Sequence, residues 1–249
     1  MNLEIYETTD YSMFKRLVGN REVKNYKKIE ESIKARGYVL NPLIVNEKYE
    51  VIDGQNRLKA LSNLGMPVHY YVVEGLGIDD ARALNLNGTN WKPITYVKSY
   101  AESGLEPYQR LVALLDEYEE FSLQEVVGVV DGEIVKSGWD IKYLNDGTFQ
   151  MDKRAEEEAR RILNILTPLK PAIKKMDGSK RTIVTGLAWC IRQKGCDPER
   201  LIRVIGRNYA DGIRAVVKAE SFLYDVTKLY NKSLPKEKRI DFDVIYRNR

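Results

Sequence analysis

Two spacings of apolar residues alternate along the first hundred positions of the chain. Leu3, Ile5 and Tyr6, set among acidic residues, read as a short strand. Tyr11 to Val18 reads as a short helix or turn ahead of Gly19-Asn20-Arg21. From Lys27 to Arg36 the apolar residues Ile29 and Ile33 stand four apart, the mark of an amphipathic helix, and Gly37 supplies its C-terminal cap. Pro42-Leu43-Ile44-Val45 predicts a buried strand, Asn46-Glu47-Lys48 a polar turn, and Glu50-Val51-Ile52 a second strand. After Asp53-Gly54-Gln55 a helix carries Leu58, Leu61 and Leu64 and closes at Gly65. Val68 to Val73, rich in β-branched and aromatic residues, is a third strand. Ile78 to Leu86 is a further helix, with Asp79 and Asp80 placed favourably in its first turn.

Beyond Lys92-Pro93 the pattern becomes helical throughout. Helices are expected over Thr95–Ser103 and Pro107–Glu119, with Leu111, Leu114 and Leu115 as the apolar stripe. Phe121 to Met151 reads as short helices or turns, opening on Ser122 and Glu125 at capping-box spacing. Arg154 to Leu166 is an amphipathic helix that Pro168 and Pro171 are expected to stop. Thr182 to Gln193 forms another, ending at Gly195. Asp197-Pro198-Glu199 then starts a helix running to about Tyr209. Ile213 to Leu229 reads as the last long helix, after which Phe242, Val244, Ile245 and Tyr246 offer an apolar patch able to dock back. The fold class expected is therefore an α/β N-terminal domain over residues 1–95, followed by an all-α region over 96–249. The boundary falls within residues 90–105.

Composition narrows the class. A chain of 249 residues, 43% hydrophobic and 31% charged with both signs mixed, is a globular composition. No run of about 18 apolar residues exists to span a membrane, and the acidic first residues lack the apolar segment of a secretory leader. With two cysteines, Cys190 and Cys196, outside any C-x-x-C pair and one histidine, His69, no zinc set can be assembled. A reducing, cytoplasmic setting is expected. His69, in the alternating strand Val68-His69-Tyr70-Tyr71, reads as a structural histidine rather than a base. The net charge of +4 is unevenly spread: residues 101–150 carry 3 Lys/Arg against 11 Asp/Glu, while residues 151–249 carry 23 against 13. The basic block suggests a polyanion partner.

Chemistry concentrates at Asp53-Gly54-Gln55-Asn56-Arg57. A strand that hands over to a helix through a glycine leaves the first amide N–H groups of the helix unpaired. Those donors, with the helix dipole, make an anion site. Gly54 leaves room for an oxygen to approach, Arg57 can return a bidentate contact to phosphate, and Gln55 and Asn56 add amide groups. Asp53 repels phosphate unless a metal or proton lies between them, or it serves as a cap. Without its surroundings, D-G-x-x-R is a weak signal.

The surroundings resemble the ParB N-terminal domain, whose fold is shared with sulfiredoxin. The residues that carry the resemblance are Ser32-Ile33 before Gly37, Pro42-Leu43-Ile44-Val45, Val51-Ile52-Asp53-Gly54-Gln55-Asn56-Arg57-Leu58, then Leu64-Gly65 and the strand from Val68 to Val73. Order and spacing agree over residues 20–75. ParB partition proteins usually carry Gly-Glu-Arg-Arg at the turn, so Gln55-Asn56 looks closer to the Asp-Gly-Gln-His-Arg variant of phage and mobile-element relatives. The turn has no cysteine, which excludes the peroxiredoxin-repair chemistry of sulfiredoxin. The resemblance implies a nucleotide site of Arg21, Gly37, Gly54, Gln55, Asn56 and Arg57. Its cofactor would be Mg²⁺ with CTP or ATP. Asp53 would position water or metal, and Asn87, within the polar stretch Asn85 to Lys92, would assist the metal.

ParB proteins follow this domain with a helix-turn-helix, for which residues 121–150 are the candidate by position, although their acidity argues against DNA contact. The basic helices of residues 181–230 are better placed. Arg192, Arg200, Arg203, Arg207 and Arg214 recur there, with Arg200, Arg203 and Arg207 on one face. The same stripe would equally meet the acidic segment, within the chain or in a homodimer. The leading expectation is a ParB-like protein that binds, and in one variant hydrolyses, a nucleoside triphosphate, and that binds DNA or a protein partner in partition or regulation of a phage or mobile element. The alternatives are a metal-dependent ParB-like nuclease, with Asp53 as the catalytic residue, and a non-enzymatic DNA-binding regulator with a degenerate pocket.

Overall fold

Alternate residues of a strand project to opposite faces of a sheet, and in this chain both faces are covered. In the computed structural model, which describes residues 4–86, 91–132, 142–213 and 218–248, the chain divides into two units, Met1–Leu105 and Glu106–Arg249. The first holds strands β1 (Tyr6–Thr8), β2 (Lys15–Arg16), β3 (Leu43–Val45), β4 (Glu50–Asp53) and β5 (Val68–Val72), with helices α1 (Tyr26–Arg36), α2 (Gln55–Leu64), α3 (Ile78–Leu86) and α4 (Pro93–Glu102). The strands lie in the order β1-β5-β3-β4-β2. The β3–β5 and β4–β2 pairs are parallel, and the β3–β4 and β1–β5 pairs antiparallel.

Leu43, Val45, Val51, Val68 and Tyr70 cluster on one face, with Ile33 of α1 and Leu58 and Leu61 of α2 packed against them. Ile44 and Ile52 take the other face with Leu17, Ile78 and Ala81. Each fully buried apolar side chain of this kind contributes about 1.5–3 kcal/mol, so a one-residue slip of β3 or β4 would exchange the two sets and is strongly disfavoured. The ladder register shifts between Ile44 and Val45, which pair with Asp53 and Val51. β4 thus carries an extra residue just before it ends, a bulge that turns the chain.

The turn itself is Gly54, at φ 103° and ψ 14°. A β-carbon there would lie 2.4 Å from Leu43 Cδ2 and 3.0 Å from Arg57 Nη1, so both the dihedral and the space demand glycine. The far end of α2 closes on Gly65, also left-handed, whose N–H and that of Met66 donate to Ser62 and Leu61.

The expected boundaries move in a few places. Tyr11–Met13 is a single 3-10 turn, and the two-residue strand β2 that follows it joins the sheet edge. Helix α4, assigned by the sequence pattern to the helical region, falls in the first unit. Arg82 of α3, 7% exposed, donates to Ser99 and Ser103, and the Glu102 carboxylate accepts from Arg16 and from the Gly19 N–H.

The second unit comprises α5 (Glu106–Glu117), α6 (Leu123–Asp131), α7 (Lys142–Asn145), α8 (Lys153–Leu166), α9 (Lys170–Lys175), α10 (Lys180–Arg192), α11 (Pro198–Gly212), α12 (Ala219–Asn231) and α13 (Phe242–Arg247). α10 is buried continuously from Ile183 to Ile191. α6 lies so close to it that a β-carbon on Gly128 would be 2.3 Å from Thr185 Cγ2. The capping box of Ser122 and Glu125 forms as the spacing predicts. α8 ends at Leu166, ahead of Pro168 as the pattern predicts, and the two prolines then occupy first-turn positions of a 3-10 turn and of α9, where no N–H is needed. The tail docks, with Phe242 against Tyr230 and Tyr246 against Trp189.

The acidic middle of the sequence is partly neutralised inside this unit. Glu117 pairs with Arg160, and Glu125 with Lys170 at 2.5 Å. Glu125 and Lys170 are 4% and 5% exposed, so removing one partner strands a buried charge.

Two stability outcomes follow from this packing. Gly54→Ala should cost about 1–3 kcal/mol through a left-handed backbone and the Leu43 clash, read as a lower midpoint in urea with an unchanged slope. Lys170→Ala should cost about 3–5 kcal/mol. The double variant Lys170→Met with Glu125→Gln, which keeps the capping box, should recover most of that in the same melts; equal loss in both would refute the stranded-charge account.

Candidate functional site

Two asparagines fasten the loop after β2 onto the start of α2. Asn20, buried, donates through Nδ2 to the Val51 and Ile52 carbonyls at 3.0 and 3.2 Å, and its Oδ1 accepts the Arg21 N–H at 2.9 Å. Asn56 Oδ1 accepts the N–H groups of Lys24 and Asn25 at 3.0 and 2.9 Å. The loop is thereby held at both ends of the β4–α2 junction, which places Arg21 beside it. The amide N–H groups of Gln55, Asn56 and Arg57 meet no acceptor among the described residues, and Gly54 offers no side-chain cap. Free donors at a helix start attract anions.

A cavity of about 510 Å³ opens against this junction, with Asn20, Arg21, Lys24, Asn56, Trp91, Lys92 and Lys98 in its wall. Five cationic side chains line it against two acidic ones, Glu22 and Glu102. Both acids are engaged: Glu102 with Arg16 and Glu22 with Lys24, each at 2.8 Å. The Lys24 ammonium beside it, helped by Lys98 and Arg16, holds the Glu22 carboxyl below its ordinary range. Arg21, Lys92 and Lys98 are left without an ion-pair partner among the described residues. Two donors in this wall are also buried without a partner among the described residues, Arg21 Nε and the indole Nε1 of Trp91, which is 5% exposed. Neither atom can accept a hydrogen bond, so only an acceptor satisfies them. A ligand rich in acceptor oxygens fits.

The expected site residues divide. Arg21 and Asn56 line this cavity. The Gln55 side chain lines a separate cavity of about 380 Å³ that shares the Arg21–Glu22 wall. Gly37 caps α1 through its N–H to Ile33 O at 2.8 Å and lines neither space. Arg57, expected to turn back onto phosphate, donates Nη1 to the Pro42 carbonyl at 3.0 Å, with Nη2 3.8 Å from Asp53 Oδ2. It lines neither cavity. Its guanidinium braces the start of β3 against the turn, and Asp53 balances its charge. Asn87 lies outside the described residues.

The resemblance implied Mg²⁺. Among the described residues no group of three His, Cys, Asp or Glu could hold a metal ion, and the Asp53 carboxylate faces a guanidinium. The described side chains therefore build no metal cage made of protein ligands alone. Burial pushes the Cys196 thiol up to about 11 and the Cys190 thiol well above its ordinary value.

The basic helices also divide. Arg192 donates to Val129 O at 2.7 Å and lies 3.7 Å from Glu158; burial lowers its pKa against the pull of that carboxylate. Arg200 donates to the Tyr230 and Lys232 carbonyls, capping the end of α12. Both are structural. Arg203 and Arg207 are exposed on α11, flanked by exposed Glu199 and Asp211. Arg214 lies outside the described residues. In the segment considered for a recognition helix, α7 has four residues, about 6 Å of helix. Residues 133–141 lie outside the described set. His69 meets Glu7 at 2.8 Å in the strand pair, in keeping with a structural part.

Lys24 and Lys98 were not singled out by motif, whereas Trp91 and Lys92 lay in the candidate stretch Asn85 to Lys92. Trp91 and Lys98 come from α4 and the residue pair before it, and only the folding of α4 onto α3 brings them to the junction.

No protein-family model matches the sequence. The chain is 32% identical over 116 residues to a probable plasmid-partitioning protein ParB of Thermus thermophilus, a match covering 44% of this chain and 35% of that protein. The match thus spans about a third of the relative's length. A solved Pnob8-like ParB-N domain aligns over 99% of this chain and 98% of its own, at 15% identity and a TM-score of 0.29, too loose a superposition to argue from. The sequence likeness supports a ParB-like N-terminal domain. Among the described residues no helix is long and apolar enough to cross a membrane.

Because Arg57 braces the fold, Arg57→Ala should lower stability by about 1.5–3 kcal/mol, the range for a hydrogen bond from a charged group. Arg57→Lys should recover little of it, since an ammonium lacks the fork that reaches Pro42 and Asp53 together. Thermal melts of the three proteins decide this; an unchanged melting temperature in Arg57→Ala would remove the bracing role.

Proposed function

We propose that the first unit binds a nucleoside triphosphate with its phosphates in the cavity beside the α2 N-terminus, as part of a ParB-like role in DNA partition. The observation that carries this reading is the pair of buried, unpartnered, donor-only groups, Arg21 Nε and Trp91 Nε1, in a wall that also presents Lys92 and Lys98. Leaving a buried donor unmet costs about 1–3 kcal/mol, a cost that an anion removes on binding. The volume falls within the range of small-molecule sites, and Asn56, in the first turn of α2, belongs to the wall, at the end of the helix that favours negative charge. The role in partition rests on the likeness to the Thermus ParB, and a nucleic-acid partner belongs to the same proposal. The phage or mobile-element setting, hydrolysis and the choice of CTP or ATP rest on the resemblance alone.

Calorimetric titration with CTP, ATP, GTP and UTP tests the site. At least one should bind with 1:1 stoichiometry. Arg21→Ala should weaken it by about 10- to 100-fold, the loss of one charge-assisted contact. Lys98→Ala should weaken it less, and Arg57→Ala should act mainly on the melting temperature. Absence of heat with all four nucleotides, from protein shown to be folded, would end this reading.

A further inference from the structure

The second cavity, of about 380 Å³, lies along the other side of α2 and has a different character. Tyr11, Phe14, Val51 and Leu58 form an apolar body, and the rim carries Lys15, Arg16, Arg21 and Lys59 against the single acid Glu22. Gln55 belongs to its wall. That side chain is 8% exposed, and its amide nitrogen is buried with no hydrogen-bond partner. The shape of the fold does not require a polar group here: Leu58, one turn further along the same helix face, shows that an apolar side chain is accommodated. A buried amide left unmet beside an apolar hollow with a cationic rim describes a receptor for a particular kind of molecule.

We propose that this cavity is a second binding site, for a small amphiphilic anion: a flat apolar body that lies against Phe14, Tyr11 and Leu58, with one anionic head group. The head group accepts from the Gln55 amide and is drawn by the Lys15, Arg21 and Lys59 charges. The chemistry excludes a polyphosphate, whose oxygens would be desolvated against the apolar wall. It also excludes a purely apolar ligand, which would leave Gln55 unmet. The site does not depend on the triphosphate reading, since its distinctive group, Gln55, is absent from the larger cavity's wall.

The probe is 8-anilinonaphthalene-1-sulfonate, an aromatic body with one sulfonate, titrated into the full chain and followed by fluorescence, with stoichiometry from calorimetry. The folded protein should bind one equivalent saturably, and more weakly as salt is raised. Gln55→Leu, close in volume, should weaken binding about tenfold, the loss of one hydrogen bond to a charged head group. Lys59→Glu, at an exposed position of α2 where folding is not at risk, should weaken it several-fold and flatten the salt dependence. Triphosphate titrations on the same two variants show whether the larger cavity is affected, and they should be unchanged. Non-saturating fluorescence, or an affinity that neither variant alters, overturns the proposal whatever the triphosphate titrations give.

Discussion

Gly54 holds φ 103° beneath the Leu43 side chain, where a β-carbon would lie 2.4 Å from Leu43 Cδ2. That contact sets the angle at which α2 leaves the sheet, and the other features of the first unit are arranged around it. α2 must leave in this direction for Leu58 and Leu61 to cover Val45 and Val51. Its first amides then face outward without acceptors. The Arg57 fork reaches back to Pro42 O, tying β3 to the same junction from the opposite side. Asn20 and Asn56 complete the arrangement by using side-chain amides where a strand ladder is missing. Asn20 satisfies the ends of β4 and Asn56 the start of the α1 approach. The loop that carries Arg21 therefore has no freedom to leave.

Two clusters of buried polar groups are met in different ways. In the second unit the buried Glu125 carboxylate accepts from Lys170 and from the Ser122 N–H, and the Lys170 ammonium also stands 4.3 Å from the Phe121 ring centroid. Such a network holds one arrangement because every member has a partner. In the first unit, Arg21 Nε, Gln55 Nε2 and Trp91 Nε1 are buried with no partner among the described residues and border cavities, while His69 Nδ1, equally unpartnered, lies in the sheet. Buried unmatched donors are uncommon in folded proteins and each destabilises. Around the two hollows, each donor left without an acceptor lowers stability.

Much of the architecture was legible because local rules agreed with one another. The alternation in Leu43-Ile44-Val45 and Val51-Ile52 places Ile44 and Ile52 on one face and their neighbours on the other, as found. Gly37, Gly65 and the Ser122–Glu125 box end or start helices as their types predict. What escaped depends on long-range contact. The motif gave Arg57 a phosphate because spacing along α2 cannot reveal that Pro42 O, fifteen positions earlier, lies within 3.0 Å. Lys98 gained meaning only through Arg82, whose buried guanidinium draws α4 onto α3. Arg200 resembled one rung of a basic stripe because helical periodicity does not show that the end of α12 needs a cap.

The basic surplus of the C-terminal half, read as charge alone, suggested a long track for a phosphate backbone. Its residues are distributed otherwise. Arg160 and Lys170 neutralise the acidic middle, Arg192 lies against the end of α6, and Arg200 against the end of α12. On the described face of α11 this leaves Arg203 and Arg207, with Glu199 and Asp211 one turn away on either side. Two phosphate contacts correspond to a logarithmic salt slope of about −1.8, roughly a tenfold loss of affinity between 50 and 200 mM salt. A face of that strength contributes to an encounter with a polyanion but does not by itself hold one. Net charge along a sequence counts every cation equally, whereas affinity comes only from those the fold has not already paired. In this chain Arg21, Lys92 and Lys98, without an ion-pair partner among the described residues, share a cavity wall with two buried donors beside the first turn of α2, in the unit whose composition is nearly neutral.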